Sequence, residues 1–478
     1  MKKRTKILAT VGPASDSLEM LVSLIQEGVN VFRLNFSHGT HEQHLIVLNR
    51  IRKAMEITGL IVGVLQDISG PKIRIGNLEK NFELNEDDTI IFTQTQNVGE
   101  QLSENSYRVC INYPQVLKQL NLGDYIYLYD GIIRTKVIEI SEDEVKVRVE
   151  NRGILSSKKG VNFPNTRLGV DILTTKDRTD IVWGVKNGVD FMAISFVQNA
   201  QDMINAREVV KSHGGKQALI AKIEKFDAIE NIDEIIEHSD GLMVARGDLG
   251  IEVPYYEVPN IQKMLIRKAN EASIPVITAT QMLLSMTTSQ RATRAEISDI
   301  ANAVMDGTDA VMLSEESAVG EYPVLAVKTM FETIRETESL FKYYRYAGYE
   351  KTDTGDTISE SAVRLSKDLN AKGIFAITSS GASARKLARY KPKKTIYAIT
   401  HDIQVRGQLT LSWGVIPLMS VTQDSLELIV NSFMRRGLEN GSIKRENNYI
   451  LTAGDPIGKA GSTNMIKVIT SEDMQLFK

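Results

Sequence analysis

Residues 217–253 read QALIAKIEKFDAIENIDEIIEHSDGLMVARGDLGIEV. The stretch opens with an apolar run at 218–223 and closes with a second apolar run at 241–245. Between the two runs, apolar residues recur on one half of a helical circumference, which predicts a strand, an amphipathic helix and a second strand. This βαβ order is typical of a parallel sheet.

Charged side chains lie at the end of both predicted strands. Lys222 and Glu224 are two residues apart, and so are Arg246 and Asp248. Because side chains alternate along a strand, each pair is predicted to project to one face of the sheet. The sequence therefore predicts a charged rim where these strands end.

Strands and helices alternate over most of the chain. Strands are predicted at 6–11, 30–34, 61–66, 188–194, 218–223, 241–245, 275–279 and 310–313. Eight βα units are typical of a (β/α)8 TIM barrel, an α/β fold whose active sites lie at the C-terminal ends of the strands. Polar pairs at these ends, such as Arg33 with Asn35 and Thr278 with Thr280, are predicted to converge.

Two further regions break the barrel pattern. Between about residues 71 and 167 short alternating runs and a hairpin signal at Asp130 and Gly131 predict a small inserted all-β domain. A polar stretch at 351–356 is interpreted as a linker to a C-terminal α/β domain. The predicted divisions are barrel at 1–70 and 168–347, inserted β domain at 71–167 and C-terminal domain at 348–478, with strands at 373–378, 395–400 and 449–452.

Composition argues against several classes of protein. The 478 residues carry 57 basic and 60 acidic side chains, and no long block of one sign suggests a nucleic-acid partner. No stretch approaches the roughly 18 apolar residues of a membrane span. Cys110 is the only cysteine, which excludes an intrachain disulfide and a cysteine-rich metal site. We expect a soluble, cytoplasmic protein.

The charged rim has two interpretations. Glu224 and Asp248 could hold a hard cation such as Mg²⁺, with open positions for substrate oxygens, and Lys222 would then face the bound anion. Alternatively, the three side chains form a buried ion-pair network that closes the barrel. Gly247 could present its N–H to a carboxylate or phosphate, or it could be an ordinary turn glycine.

Other residues could bind phosphate groups. Arg33 and Arg74 offer planar, bidentate donors. No Walker A pattern and no protein-kinase glycine loop occurs in the sequence, so a nucleotide would need another binding geometry. The hydroxyl-rich stretch Thr378, Ser379, Ser380, Gly381, Ala382, Ser383 could form an anion-binding cup at a helix N-terminus, or an ordinary capped turn.

Several motifs together resemble the pyruvate kinase family over nearly the whole chain. They are KILATVGPAS (6–15), RLNFSHGTHEQH (33–44), KGVNFP (159–164), IAKIE (220–224), MVARGDLGIE (243–252), TATQML (278–283) and RAEISDIANAV (294–304). They stand in the family's order and at its spacing. The resemblance implies a barrel, an inserted β lid and a C-terminal regulatory domain.

The resemblance also implies a reaction, the last step of glycolysis. A phosphoryl group passes from phosphoenolpyruvate to ADP, giving ATP and enolpyruvate, which is then protonated to pyruvate. Glu224 and Asp248 match Mg²⁺ ligands, and the Gly247 and Asp248 backbone matches the site of the substrate carboxylate. Lys222 and Arg33 match residues that neutralise and grip the phosphoryl group.

Further positions match around this centre. Thr280 and Ser314 match hydroxyls near the carbon that is protonated. The positions that match the nucleotide site are Asn35, Phe36, Ser37, His38, Arg74 and Lys159. A homotetramer and allosteric control through the C-terminal domain are typical of the family, and we expect the 378–383 cup to bind a phosphorylated effector. The stretch at 454–464 resembles the family's effector loop.

One departure concerns potassium. The family's monovalent-cation site is matched by Asn35, Ser37, Asp67 and Ile68, but Lys72 stands where potassium-requiring members carry glutamate. A lysine ammonium supplies positive charge and repels a cation over a few ångströms. We therefore expect that K⁺ is not required.

Two other functions would fit parts of the pattern. A Mg²⁺-dependent enolate aldolase or lyase would use a similar acidic pair, but would need neither the lid nor Arg74 and Lys159. A metabolite sensor without catalysis would be expected to lack Lys222 or an acidic ligand, and the sequence keeps them. Pyruvate formation that depends on ADP would distinguish the kinase.

Overall fold

The computed structural model describes residues 3–95, 98–167, 169–345, 349–420, 425–456 and 463–475. The chain begins with β1 (Lys6–Val11), α1 (Leu18–Gln26), β2 (Val31–Asn35), α2 (His41–Thr58) and β3 (Gly63–Asp67). A capping box formed by Thr40 and Gln43 begins α2, and Gly59 ends it in the left-handed conformation at φ 66°. These signals fix where the helix starts and stops.

An all-β region follows. Its strands are β4 (Phe82–Leu84), β5 (Thr89–Thr93), β6 (Glu100–Ser103), β7 (Ser106–Cys110), β8 (Tyr125–Leu128), β9 (Ile133–Ile140), β10 (Glu144–Val149), β11 (Gly153–Leu155) and β12 (Val161–Asn162). Seven of them form one sheet in the order β12-β8-β9-β10-β5-β7-β6, and β11 pairs with β4. The predicted hairpin at Asp130 and Gly131 is confirmed, since it joins antiparallel β8 and β9 with positive φ at both residues.

The barrel then resumes. Its elements are α3 (Thr175–Asn187), β13 (Phe191–Ile194), α4 (Ala200–Ser212), β14 (Ala218–Ile223), α5 (Phe226–Glu230), α6 (Ile232–Glu237), β15 (Gly241–Ala245), α7 (Arg246–Glu252), α8 (Val258–Glu271), β16 (Val276–Ala279), α9 (Arg294–Asp306), β17 (Ala310–Leu313), α10 (Glu315–Ala318) and α11 (Pro323–Ser339). Eight parallel strands close in the order β1-β17-β16-β15-β14-β13-β3-β2. The predicted (β/α)8 barrel is confirmed.

Two details of the 217–253 stretch differ from the prediction. The single predicted helix is interrupted at Asn231, whose side chain donates to the carbonyl of Gln198, so α5 and α6 are separate. The second strand ends at Ala245, and the chain turns into α7 at Arg246. Arg246 and Asp248 therefore lie in a helix and do not alternate as strand residues do. The prediction that both side chains project to one face of the sheet is wrong.

A third region completes the fold. It contains α12 (Thr354–Asp368), β18 (Gly373–Ile377), α13 (Ala382–Arg389), β19 (Thr395–Thr400), α14 (Ile403–Gln408), β20 (Val415–Met419), α15 (Leu426–Glu439), β21 (Tyr449–Gly454) and β22 (Thr463–Ile469). The sheet order is β20-β19-β18-β21-β22. The predicted α/β region is confirmed, with β20 and β22 in addition to the three predicted strands. The proposed linker ends earlier than predicted, because Asp353 caps α12.

Separate apolar cores support these regions. One core lies between the barrel strands and their helices, a second fills the barrel, a third lies within the β region, and two more flank the C-terminal sheet. At the bottom of the barrel, the buried ammonium of Lys391 lies 3.2 Å from Asp309 and joins the C-terminal region to β17. Among the described residues no helix is long and apolar enough to cross a membrane. The domain limits themselves stay a prediction.

Candidate active site

Lys222 lies near the end of β14 at the centre of the site. Its Nζ is 2.8 Å from Glu224 Oε1 and 3.2 Å from Asp67 Oδ1, and it donates to Ser195 Oγ at 2.8 Å. Burial opposes its charge, but Asp67 and Glu224 together raise the pKa of Lys222 above its ordinary value. The two carboxylates therefore favour the charged form of this ammonium at the mouth of the barrel.

Arg33 reaches the same carboxylate from β2. Its Nε lies 2.6 Å from Asp67 Oδ2, and its Nη1 donates to Thr10 Oγ1 at 3.0 Å. Burial opposes the charge of Asp67, but Lys222 and Arg33 hold the pKa of this carboxyl below its usual range. Asp67 thus fixes two cations side by side.

Glu224 and Asp248 are the two acidic groups beside this pair of cations. The backbone N–H of Phe196 donates to Glu224 Oε2 at 2.8 Å. Among the described residues, no donor hydrogen-bonds to the carboxylate of Asp248. Burial, together with the nearby Glu224, raises the pKa of Asp248 to about 6. Two carboxylates beside each other, one of them without a hydrogen-bond donor in the described part of the chain, offer the oxygen ligands that a hard divalent cation prefers.

Gly247 and Thr280 form the next part of the rim. The Gly247 N–H donates to Thr280 Oγ1 at 2.8 Å, and that hydroxyl donates to the carbonyl of Ala279. Thr280 has a φ of 69°, a left-handed conformation that threonine rarely adopts. The strain indicates that its hydroxyl position is imposed by the surrounding structure.

Arg246 does not belong to the charged rim. Its guanidinium donates to the Thr280 carbonyl at 2.7 Å and pairs with Asp299 at 2.6 Å. The Arg246 side chain therefore stabilises the loop after β16.

Ser314 follows β17, and its N–H donates to Glu316 at 2.7 Å.

Three of the six predicted nucleotide residues line a cleft between the barrel and the β region. A cleft of about 470 Å³ is lined by His38, Arg74, Lys159 and Asp248. The Lys159 ammonium lies 3.7 Å from the ring centroid of Tyr129. Arg74 donates to the carbonyl of Lys158 at 2.7 Å, which ties it to the adjoining loop of the β region.

Two predicted nucleotide residues face other partners. The Phe36 ring is buried and stacks on His44 at a centroid distance of 4.0 Å, so the ring itself is not available to a ligand. The side-chain oxygen of Asn35 accepts from the N–H of Ser37 at 3.1 Å. Ile68 directs its carbonyl to Ser195 Oγ at 2.7 Å.

Lys72 lines the same cleft as Asp248. Burial and the charge of Lys222 lower its pKa, while Asp248, Glu224 and Asp67 act in the opposite direction. The structure therefore places the Lys72 charge within the field of the rim carboxylates.

The predicted effector cup begins α13. Thr378 accepts from the Gly381 N–H at 2.9 Å, and Ser383 hydrogen-bonds to Thr463. Ser379 and Ser380 are half-buried, and among the described residues neither hydroxyl makes a hydrogen bond. The Ser380 carbonyl accepts from Arg385 at 3.2 Å. Residues 457–462 of the effector-loop resemblance lie outside the described residues.

Sequence reasoning missed five contacts at the rim, which three residues make. Ser195 bonds to both Lys222 and the Ile68 carbonyl, Asp67 bridges Lys222 and Arg33, and Glu316 accepts from Ser314. Ser195 directly follows β13, so its place at a strand end could have identified it. The Asp67 contacts join residues far apart in sequence, which no local pattern encodes, whereas the Ser314–Glu316 contact is local and forms where α10 begins.

Sequence models of known families match most of the chain. "Pyruvate kinase, barrel domain" matches residues 2–327, and "Pyruvate kinase, alpha/beta domain" matches residues 356–469. The first match includes the inserted β region, and the second lies within the C-terminal region.

Characterised relatives agree with these matches. A pyruvate kinase from Geobacillus stearothermophilus is 42% identical over 486 residues, covering 99% of this chain and 81% of the relative. One from Staphylococcus epidermidis is 40% identical over 475 residues, covering 98% and 80%. The crystal structure of a pyruvate kinase from Cryptosporidium parvum aligns with a TM-score of 0.89 at 34% identity, covering 98% of this chain and 96% of that one. The chain therefore belongs to the pyruvate kinase family, the phosphotransferases that convert phosphoenolpyruvate and ADP to pyruvate and ATP.

Proposed function

We propose that Lys222 and Arg33 carry the phosphoryl transfer of this pyruvate kinase. The observation behind the proposal is that both cations contact the buried carboxylate of Asp67. Two preorganised cations at the barrel mouth can neutralise the oxygens of a transferring phosphoryl group. Replacing Lys222 by methionine tests the assignment, because methionine keeps much of the volume and removes the charge.

Glu224 and Asp248 are proposed to hold Mg²⁺. Two carboxylates supply only part of the coordination that Mg²⁺ needs, so positions would remain open for substrate oxygens. Mg²⁺, when bound, supplies positive charge that offsets the substrate's carboxylate and phosphoryl oxygens. The metal dependence of the family supports this part of the proposal.

Gly247, Asp248, Thr280 and Ser314 are proposed to hold the three-carbon part of the substrate. A substrate carboxylate would compete with Thr280 Oγ1 for the Gly247 N–H, since that hydroxyl now accepts from it at 2.8 Å. The hydroxyls of Thr280 and Ser314 would then order the water that protonates the enolate carbon.

ADP is proposed to bind in the cleft between the barrel and the β region. His38 lines this cleft from the barrel, with Asn35 and Ser37 on the same loop, while Arg74 and Lys159 line it from the β region. Phe36 would support this loop without touching ADP, because its ring and its peptide are both held within the protein. The β region would act as a lid that excludes water during transfer. A cytoplasmic location stays a prediction.

Potassium is proposed to be unnecessary. The charge of Lys72 interacts with Asp67, Asp248 and Glu224, where a bound cation would otherwise be needed. In sodium-free and potassium-free Tris buffer, we expect nearly full activity, and KCl added at constant ionic strength should change kcat less than about twofold. Lys72→Glu should create a potassium requirement of roughly tenfold or more, because the local charge changes by two units.

The potassium proposal has a clear counter-result. Stimulation of the unchanged enzyme by more than about tenfold would contradict it, because a lysine that replaces the cation leaves no such role for K⁺. Lys53→Met, on the exposed face of α2, serves as the control for altering a lysine elsewhere.

A homotetramer controlled by a phosphorylated effector at the 378–383 cup is also proposed. Ser380→Asp should abolish activation by a sugar phosphate or nucleoside monophosphate through charge repulsion, and should leave basal kcat within about twofold. Ser383 is a poorer target, because it is buried against Thr463. Activity measured across a panel of phosphorylated metabolites checks this, and activation that survives in the variant would exclude the cup.

A further inference from the structure

The loop between β2 and α2 is fixed at the peptide of Phe36. The Phe36 carbonyl accepts from Lys176 Nζ at 2.7 Å and from Ser69 Oγ at 3.1 Å. The Phe36 N–H donates to the carbonyl of Asp67 at 2.9 Å. Donors and acceptors from two other segments, residues 67–69 and α3, therefore determine where this peptide lies.

Lys176 is itself held by a buried carboxylate. Its Nζ lies 2.6 Å from Asp180 Oδ2, one helical turn further along α3. Asp180 is 2% exposed, and its Oδ1 lies 2.7 Å from Nε2 of His41, the first residue of α2. The Asp180 carbonyl also accepts from Gln66 Nε2 at 2.7 Å. Lys176, Asp180 and His41 thus connect α3 to both ends of the loop, and we call them the α3 clamp.

Aromatic packing holds the side chain of the same residue. The Phe36 ring stacks on His44 at 4.0 Å and an interplanar angle of 9°, and its centroid is 5.0 Å from that of Trp183. With its ring buried and its peptide hydrogen-bonded, Phe36 has little freedom to move. Asn35, Ser37 and His38 are close to Phe36 in the chain, so the fixed position of Phe36 restricts where they can lie.

We propose that Lys176 is a positioning residue for ADP, acting through the Phe36 carbonyl and supported by Asp180 and His41. The inference rests on the proposed nucleotide role of the 35–38 loop. Lys176 needs no contact with ADP, because its ammonium is already used by the Phe36 carbonyl and Asp180. The Lys176 side chain is 55% exposed, so removing its charge disturbs little packing and mainly frees the loop.

Kinetics of Lys176→Met separate positioning from a general structural role. The KM for ADP should rise about tenfold, the scale of a modest misplacement of binding groups, while the KM for phosphoenolpyruvate stays within about twofold. Lys176→Arg, which can still donate to both acceptors, should restore the KM for ADP to within about threefold. Asp180→Asn should resemble Lys176→Met, and Lys53→Met on exposed α2 is the matched control.

Three outcomes would overturn the inference. An unchanged KM for ADP in Lys176→Met, together with a raised one in His38→Ala, would show that the loop binds ADP without the α3 clamp. Equal rises in both KM values with a lower thermal midpoint would assign Lys176 a purely structural role. An unchanged KM for ADP in His38→Ala would instead refute the nucleotide role of the loop, and the inference with it.

Discussion

Lys222→Met is expected to lower kcat by roughly a thousandfold or more, the scale associated with a cation on a transferring phosphoryl group. The Lys222 ammonium is 12% exposed and lies between Asp67 and Glu224, so no solvent cation can take up the same position without displacing it. Steady-state kcat at saturating substrates and Mg²⁺ measures the effect. Lys222→Arg is the matched variant, because it keeps the charge and changes only its shape.

A second reaction of the same variant separates chemistry from folding. Exchange of the methyl protons of pyruvate needs the enolate but no phosphoryl transfer, so it should be retained far better than kcat in Lys222→Met. The thermal midpoint in the presence of Mg²⁺ reports whether the barrel is intact. A loss of kcat smaller than tenfold would remove Lys222 from the role assigned to it.

Glu224→Gln and Asp248→Asn should each raise the Mg²⁺ concentration required for half-maximal activity by on the order of tenfold to a hundredfold. Each change removes one negative charge from an oxygen site while preserving its shape. Activity should recover partly at high Mg²⁺, because the remaining carboxylate still binds. A Mg²⁺ titration of initial rates gives the half-saturation point directly.

The control for the metal variants is a carboxylate of the same type outside the site. Glu237→Gln lies on the exposed end of α6 and should leave the titration unchanged. Should both site variants keep the half-saturation point of the unchanged enzyme, Glu224 and Asp248 are not the metal ligands.

The barrel could be predicted because its signal is local and repeated. Each strand is a short apolar run bounded by turn residues, and eight such runs alternate with amphipathic helices. The inserted β region was also predicted, since a period of two replaces the helical period there. The strands β20 and β22 were not, because β20 contains Pro417 and β22 is an antiparallel edge strand with polar residues.

The site was predicted less completely than the fold. Lys222 and Glu224 could be placed at one rim because both follow the alternation of β14. Arg246 could not, since the chain becomes helical there and the side chain turns to Asp299. Asp67 contacts Arg33 on the adjacent strand β2 and Lys222 on β14, which β13 separates from β3, and only the closed barrel brings these distant parts of the sequence together.

The central claim is that this rim transfers a phosphoryl group from phosphoenolpyruvate to ADP. Pyruvate and ATP should therefore be measured together in reactions with phosphoenolpyruvate and Mg²⁺, with and without ADP. We expect equal amounts of pyruvate and ATP when ADP is present, and no pyruvate when it is omitted. Pyruvate formed at a similar rate without ADP, as a lyase or phosphatase would give, would contradict the account.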